Sequence, residues 1–332
     1  MNVQGKRIFV GLSGGVDSAV SAALLQEAGA KVTGVFIKGW YPPDMPCTWA
    51  SERRDAMRVA ARLHIPFYTL DARAEYKKSV IEYLLAEYRA GRTPNPDVMC
   101  NKEVKFGAFY RFAKEAGADA IATGHYKSGG KDQRYFLWAV PKEVLEATVF
   151  PVGDKEKSDV RSLAKHFHLP VAEKRDSQGV CFLGSVSVEE FLRKEFGVSP
   201  GNAYDEEGQL VGQHDGVLLY TLGERIALQD IDAPGPWFVL AKEIAKNELT
   251  VGKKRIPKTR ALQQDIRFIH ANWFSESSRA TEAQCRYRGP RFSGHVQNDC
   301  FTSAAPCSEI PTPGQSIVFY RGDELIGGGI IA

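Results

Sequence analysis

The chain lacks the usual marks of a cysteine scaffold, a structural metal ribbon or a membrane span. Its six cysteines (Cys47, Cys100, Cys181, Cys285, Cys300 and Cys307) are scattered over 332 residues, with no Cys-x-x-Cys and no regular Cys/His ligand spacing. That pattern argues against a disulfide framework and against structural zinc. No apolar run approaches the roughly 20 residues that cross a bilayer, and Met1 to Lys6 leads straight toward a strand without a signal-peptide core, so a cytoplasmic protein with no membrane partner is expected. There is no internal repeat and no low-complexity segment. Net charge is only +3, too little to mark a nucleic-acid binder by itself. Gly-Lys-Ser/Thr and Gly-x-Gly-x-x-Gly endings are also missing, so neither the Walker loop nor the dinucleotide fingerprint fits.

What remains is ordinary globular material, 43% hydrophobic and 25% charged, with room for two or three domains. Strand patterns at Arg7 to Leu12, Lys31 to Lys38, Ile65 to Leu70 and Asp119 to Thr123 alternate with helical spacing at Ser18 to Ala28, Ser51 to Leu63, Ala74 to Tyr88 and Asn101 to Ala116. This alternation predicts an α/β domain with a doubly wound parallel sheet and sites at the carboxyl ends of its strands. Further helices are expected at Ser158 to Phe167 and Val188 to Phe196. Beyond Pro200 short alternating runs with Gly, Pro and Asp turns predict β-rich modules divided near Lys253 to Pro257.

The first strand runs into Leu12-Ser13-Gly14-Gly15-Val16-Asp17-Ser18. A glycine turn that opens a helix turns backbone N–H groups toward an anion, backed by the helix's positive end, and glycine permits close approach. Ser13 and Ser18 add hydroxyls. Asp17 could orient the turn or hold Mg²⁺ against phosphates. The alternative is a plain strand-to-helix turn in which serine serves as a cap.

Cys100 ends a stiffened stretch, Gly91-Arg92-Thr93-Pro94-Asn95-Pro96-Asp97-Val98-Met99-Cys100-Asn101, and is expected at a helix start. A thiol there, near Lys102 and Lys105, should have a lowered pKa and a larger thiolate fraction. A buried unreactive cysteine is the competing reading. Asp97 is either an acid or base beside the thiol or a helix cap. Cys181 lies in Lys174-Arg175-Asp176-Ser177-Gln178-Gly179-Val180-Cys181-Phe182-Leu183-Gly184, a polar glycine-bearing stretch unlike a core element.

The Ser-Gly-Gly-x-Asp-Ser turn resembles that of the PP-loop ATP pyrophosphatases, adenine nucleotide alpha hydrolase-like proteins in which a substrate oxygen attacks the α-phosphate. The two cysteine surroundings narrow the resemblance to the tRNA-specific 2-thiouridylases (the MnmA/TrmU family). Further matches are Gly34-Val35-Phe36-Ile37-Lys38-Gly39-Trp40, Thr123-Gly124-His125-Tyr126, Lys131-Asp132-Gln133-Arg134-Tyr135-Phe136-Leu137, Phe150-Pro151-Val152-Gly153, Arg286-Tyr287-Arg288, and Pro313-Gly314-Gln315-Ser316 with Gly327-Gly328-Gly329-Ile330. They keep their order and cover essentially the whole chain.

This resemblance implies that Gly11, Leu12, Ser13, Gly14, Gly15, Val16, Asp17 and Ser18, with Ile37 and Gly124, bind ATP with Mg²⁺. It implies that Asn95, Pro96 and Asp97 face a target uracil, that Cys100 is the nucleophile, and that Cys181 carries a persulfide from a cysteine desulfurase or sulfur-relay protein. A Cys100 to Cys181 disulfide would close the cycle and need reduction. Contacts to tRNA would come from His125, Lys131, Asp132, Gln133, Arg286, Tyr287 and Gln315. From its residues alone, Arg286-Tyr287-Arg288 reads as phosphate contact and base stacking, or as one strand with a charged solvated face. The fold implied is a PP-loop catalytic domain at 1–198, a small central β-rich domain at 199–256 and a C-terminal β-barrel at 257–332.

The chain departs from the family's pattern in three places. Ile37 stands where Met is usual, the segment between Tyr126 and Lys131 is short, and Gly223-Glu224-Arg225-Ile226-Ala227-Leu228 replaces a more glycine-rich, more basic run. The expected activity is ATP-dependent 2-thiolation of the wobble uridine of tRNA. Two rivals are a PP-loop ligase or amide synthetase acting on a small molecule, and a non-catalytic nucleotide-binding thiol redox module.

Overall fold

The computed structural model describes residues 2–43, 48–127, 132–175, 187–229, 235–255 and 264–332. Cys181 and Lys131 lie outside them, as does Cys47. The chain divides into two compact units, Met1–Ile81 with Pro96–Val186, and Glu82–Asn95 with Ser187–Ala332.

The first unit is built on a parallel five-stranded sheet. Its strands are β1 (Arg7–Gly11), β2 (Lys31–Lys38), β3 (Phe67–Asp71), β4 (Ala120–Ala122) and β5 (Thr148–Val149), in the order β3-β2-β1-β4-β5. Every pairing is parallel. β1 reads as a continuous apolar run because both of its faces are covered, with Ile8 and Val10 fully buried and Phe9 nearly so. Burying each such side chain contributes about 1.5–3 kcal/mol. Helix α1 (Val16–Glu27) is rich in small residues, and Ala19, Ala22 and Ser21 are fully buried where it lies in the core with Ile8 and Val10. It stops at Ala28 and Gly29, whose φ of +80° suits glycine. The sheet order reverses direction between β1 and β4, so the switch-point crevice lies at the carboxyl ends of these two strands.

The helix expected from Asn101 begins earlier, at Pro96, because proline fits a first helical position whose N–H has no helical acceptor. Its middle, Cys100–Ala108, is wound as a π-helix before Phe109–Glu115 resumes α geometry. Cys100 therefore sits one turn inside the helix rather than at its start. Lys77–Ile81 is a second π stretch, and the boundary between the units follows it.

The second unit holds two sheets. A mixed sheet of β6 (Gly201–Tyr204), β7 (Leu210–His214), β8 (Arg225–Ile226), β9 (Trp237–Glu243) and β10 (Glu248–Gly252) has the order β7-β6-β10-β9-β8. Strands β11 (Asp265–Trp273), β12 (Glu282–Gln284), β13 (Arg291–Gln297), β14 (Cys300–Ser303), β15 (Ser316–Arg321) and β16 (Glu324–Ile331) close a six-stranded barrel. Closure removes exposed strand edges. Phe268, Phe301 and Phe319 fill the barrel, and Trp273 stacks on Phe319 with ring centroids 5.0 Å apart.

Candidate active site

The glycine turn follows β1 directly. Leu12 N–H donates to the Val35 carbonyl at 2.8 Å, which carries the sheet's pairing one residue into the turn. Gly14 has φ +76°, and a Cβ there would lie 2.3 Å from the Glu52 carbonyl oxygen, so backbone conformation and close approach both demand glycine. Gly15 is the N-cap of α1, and no side chain caps that helix end. The serines bond to one another and to the turn: Ser13 Oγ accepts from Gly15 N–H at 3.3 Å and lies 3.2 Å from Ser18 Oγ. Ser13 N–H also donates to Ser18 Oγ at 3.2 Å. An uncapped helix end behind a glycine turn is suited to an anion.

Three side chains from distant parts of the sequence brace this turn. Asp17 Oδ1 accepts from Tyr126 OH at 2.7 Å and from Lys157 Nζ at 2.5 Å. Tyr126 is itself held by Gln133, whose Oε1 accepts Tyr126 N–H at 3.0 Å and whose N–H donates to the Tyr126 carbonyl at 2.9 Å. Lys174 Nζ donates to the Gly14 carbonyl at 3.0 Å and to Asp55 Oδ2 at 2.7 Å. Asp132 is engaged by Arg134, with Nη2 at 2.6 Å from its Oδ2. Nothing in the local spacing of Lys157, or of Lys174 at the head of the Cys181 stretch, links either to a turn more than 130 residues away. Tyr126 belonged to a quoted motif but had no role.

Gly124, just past β4, completes the crevice. A Cβ there would lie 2.8 Å from Ser18 N and 2.9 Å from the Asp17 carbonyl carbon, so β4 and α1 meet only through glycine. Ile37, near the end of β2, is half-buried against Val35 and Leu70. His125 is buried; its Nδ1 lies 2.9 Å from Thr123 Oγ1 and its ring 5.6 Å from that of Phe106. Burial, with the Lys105 ammonium as a second cause, pushes the His125 pKa down to about 3, so the ring is neutral at ordinary pH. Asp97 lies in the first turn of its helix, and burial raises its carboxyl above the ordinary range against the opposing pull of Lys105. Cys100 is buried at 2% exposure, three positions along that helix from Asp97.

Asn95 falls in the second unit, while Pro96 and Asp97 belong to the first. Within the second unit the proline stretch is fastened to the barrel: Thr93 N–H donates to the Pro313 carbonyl at 2.9 Å, and Gln315 Nε2 donates to the carbonyls of Thr93 at 2.8 Å and Pro94 at 3.3 Å. Gln315 thus spends its amide on holding this loop. Arg286 Nη2 donates to the Leu222 carbonyl at 3.0 Å, tying the barrel to the central sheet, and the Arg288 guanidinium lies 5.1 Å from the half-buried Tyr287 ring.

A parallel sheet carrying a glycine turn and an uncapped helix end at its switch point defines an α/β domain of the nucleotide-binding class. Residues 6–130 and 127–185 match the family model described as tRNA methyl transferase HUP domain, residues 189–253 the tRNA methyl transferase PRC-barrel domain, and residues 263–331 the aminomethyltransferase beta-barrel domain. The chain is 41% identical to the tRNA-specific 2-thiouridylase MnmA of Enterococcus faecalis and 40% identical to that of Streptococcus sanguinis, each time across 98% of this chain and 95% of the relative. It belongs to the tRNA-specific 2-thiouridylase family. A 4-thiouridine synthetase solved in complex with RNA and ATP is 19% identical, with a TM-score of 0.37 over 55% of this chain and 46% of that one, a likeness too slight to carry more.

Proposed function

We propose that this chain is a tRNA-uridine 2-sulfurtransferase that adenylates O2 of the wobble uridine with ATP and then replaces that oxygen by sulfur. The observation that carries the reading is the Gly14 turn, which sets an uncapped helix end at the switch point of the sheet of a 2-thiouridylase family member. A uracil carbonyl oxygen is a poor leaving group, whereas the adenylate formed on it departs as AMP. In the first step uracil O2 donates an electron pair to form a bond to the α-phosphorus, the bond from that phosphorus to the bridging oxygen breaks, pyrophosphate leaves with the electrons of the broken bond, and the N3 proton passes to a base. Asp97, whose carboxyl burial raises above the ordinary range, is the group assigned to take that proton as its carboxylate.

Asp17 is the carboxylate at the turn, and it fits Mg²⁺ because that ion commonly takes one or two carboxylates together with substrate phosphates. Bound there, Mg²⁺ would offset the negative charge on the phosphates. Sulfur would come from Cys181 as a persulfide charged by a cysteine desulfurase or sulfur-relay protein. Its terminal sulfur attacks C2, AMP departs, and the Cys100 thiolate attacks Sγ of Cys181; the thiocarbonyl is freed, a Cys100 to Cys181 disulfide forms, and two electrons from a cellular thiol reductant restore it. The target base must leave its stack to reach such a site. By this reading residues 1–198 do the chemistry, while 199–256 and 257–332 grip the tRNA, in the cytoplasm where tRNA and ATP meet.

The test is nucleoside mass spectrometry of tRNA from a deletion strain complemented with wild-type chain or Cys181→Ser. The expected result is 2-thiouridine restored only by the wild type, with ATP binding intact in the variant. Restoration by Cys181→Ser would overturn the donor assignment, and 2-thiouridine persisting in the deletion strain would overturn the function.

A further inference from the structure

Lys157 opens the helix Lys157–His166, yet its ammonium lies 2.5 Å from an oxygen of Asp17, 140 residues earlier in the chain. The two side chains are 20% and 31% exposed, a wet rim rather than a sealed core. A partly exposed pair of this kind adds little to stability, so holding the fold together is a weak reason for it. Its position is more telling. Asp17 is the second residue of α1, within one turn of the N–H groups that the glycine turn presents. A carboxylate there suits the helix's positive end but repels an incoming phosphate. Lys157 cancels that repulsion in the nucleotide-free chain and stands at the rim where a phosphate would arrive.

Lys174 also brings an ammonium to the turn. It is shared between the Gly14 carbonyl and Asp55, so it braces the turn against α2 (Trp49–Leu63) and is tied on both sides. Lys157 has a flexible four-carbon stem, and exchanging one anionic oxygen for another leaves its charge partnered.

We propose that Lys157 is a catalytic residue of the adenylating step: its ammonium passes from Asp17 to a β- or γ-phosphate oxygen of ATP and stabilises the departing pyrophosphate. The proposal rests on the adenylation reading above. Lys157 keeps its proton throughout and acts as a fixed positive charge where negative charge grows, as the bond between the α-phosphorus and the bridging oxygen breaks and the electron pair leaves with pyrophosphate. The same move frees Asp17 to face a metal-bound nucleotide.

The test uses the purified full-length chain with unmodified tRNA, comparing wild type, Lys157→Ala and Lys157→Arg. At saturating ATP, Lys157→Ala should release pyrophosphate about 100-fold more slowly, the scale of losing one preorganised electrostatic contact, with Lys157→Arg recovering most of the rate. Calorimetric titration with inorganic pyrophosphate and separately with AMP provides a readout independent of turnover. Lys157→Ala should bind pyrophosphate roughly 10-fold more weakly and AMP as the wild type does, which is the pattern of one lost charged contact. An unchanged release rate, or equal weakening of pyrophosphate and AMP, would overturn the proposal, the latter because it reduces Lys157 to a prop for Asp17. If the wild type releases no pyrophosphate, the adenylation reading falls, and the two titrations still decide whether Lys157 contacts a pyrophosphate anion.

Discussion

Two polar clusters in the first unit handle charge in opposite ways. Around the glycine turn, Asp17, Lys157, Lys174 and Asp55 are ionic groups at a partly wet rim, each matched to an opposite charge at 2.5–2.7 Å. Around Asp97 and His125, burial dominates: it pushes the carboxyl up and the imidazole down, and in each case favours the neutral form. The first cluster offers fixed charge to a polyanion, and the second offers groups poised to keep or exchange protons. The proposed adenylation would draw on both, since a pyrophosphate must be gripped while a proton is removed from the base. The clusters can be broken separately.

Gly14→Ala should have the largest effect. The new methyl would lie 2.3 Å from the Glu52 carbonyl oxygen, on a backbone at φ +76°, and main chain cannot rotate aside as a side-chain tip can. Strain of this kind costs about 1–3 kcal/mol for the conformation alone, and the overlap adds to it. The expected outcome is a melting temperature several degrees lower and ATP binding lost by isothermal titration, with the acid-induced unfolding midpoint set by the second cluster still recognisable. Tight ATP binding by this variant would mean that the turn does not hold the nucleotide.

Asp97→Asn should separate chemistry from stability. General acid or base groups contribute about 10²–10⁴-fold, so tRNA-dependent pyrophosphate release should fall by that order. Stability should move the other way. The folded carboxyl has its pKa raised above the ordinary 3.8, so as pH climbs past that value the unfolded chain ionises first and the native wild type loses stability relative to the asparagine variant. The variant's melting-temperature advantage should therefore be absent in acid, grow through the window above pH 3.8, and level off once the folded carboxyl has ionised. A constant difference across that range would rule out burial as the cause of the shift.

The contrast also marks what the sequence could convey. The parallel sheet, α1 and the glycine turn were legible because they are local: an apolar strand, two glycines and a small-residue helix follow one another within 21 residues, from Arg7 to Glu27. Lys31–Lys38 and Val188–Phe196 fall where periodicity and end signals put them. The partners of Asp17 were not legible, because Tyr126 and Lys157 reach it only once β4 and the helix Lys157–His166 have folded onto the sheet. Nor was the π-helix at Cys100–Ala108, since one register of helical spacing looks much like another over nine residues. The expected place of Cys100, beside Lys102 and Lys105, was a helix start. Instead Cys100 is buried one turn in, and Lys105 exerts its charge on Asp97 and His125. Gln315 was legible as important, but the donation of its side-chain amide to the Thr93 and Pro94 carbonyls was not.

His125→Gln should give the smallest change at neutral pH and the sharpest test of the second cluster. Glutamine can keep a hydrogen bond to Thr123 Oγ1 but cannot titrate, so at pH 7 the variant should lie within about 1 kcal/mol of the wild type. The wild-type ring stays neutral when folded down to about pH 3, while in the unfolded chain it takes a proton near its ordinary 6.5. Stability from the neutral ring is therefore present above pH 6.5 and is lost as pH falls toward 3, by about 1.4 kcal/mol for each unit in that window. Urea unfolding midpoints at pH 7, 6, 5 and 4 should show His125→Gln overtaking the wild type on acidification. Asp97 and Lys105 are present in both proteins and cancel in the comparison. Parallel curves would mean that the ring is hydrated or takes a proton within the fold, and the distinction drawn between the buried cluster and the ionic one would fail at this residue.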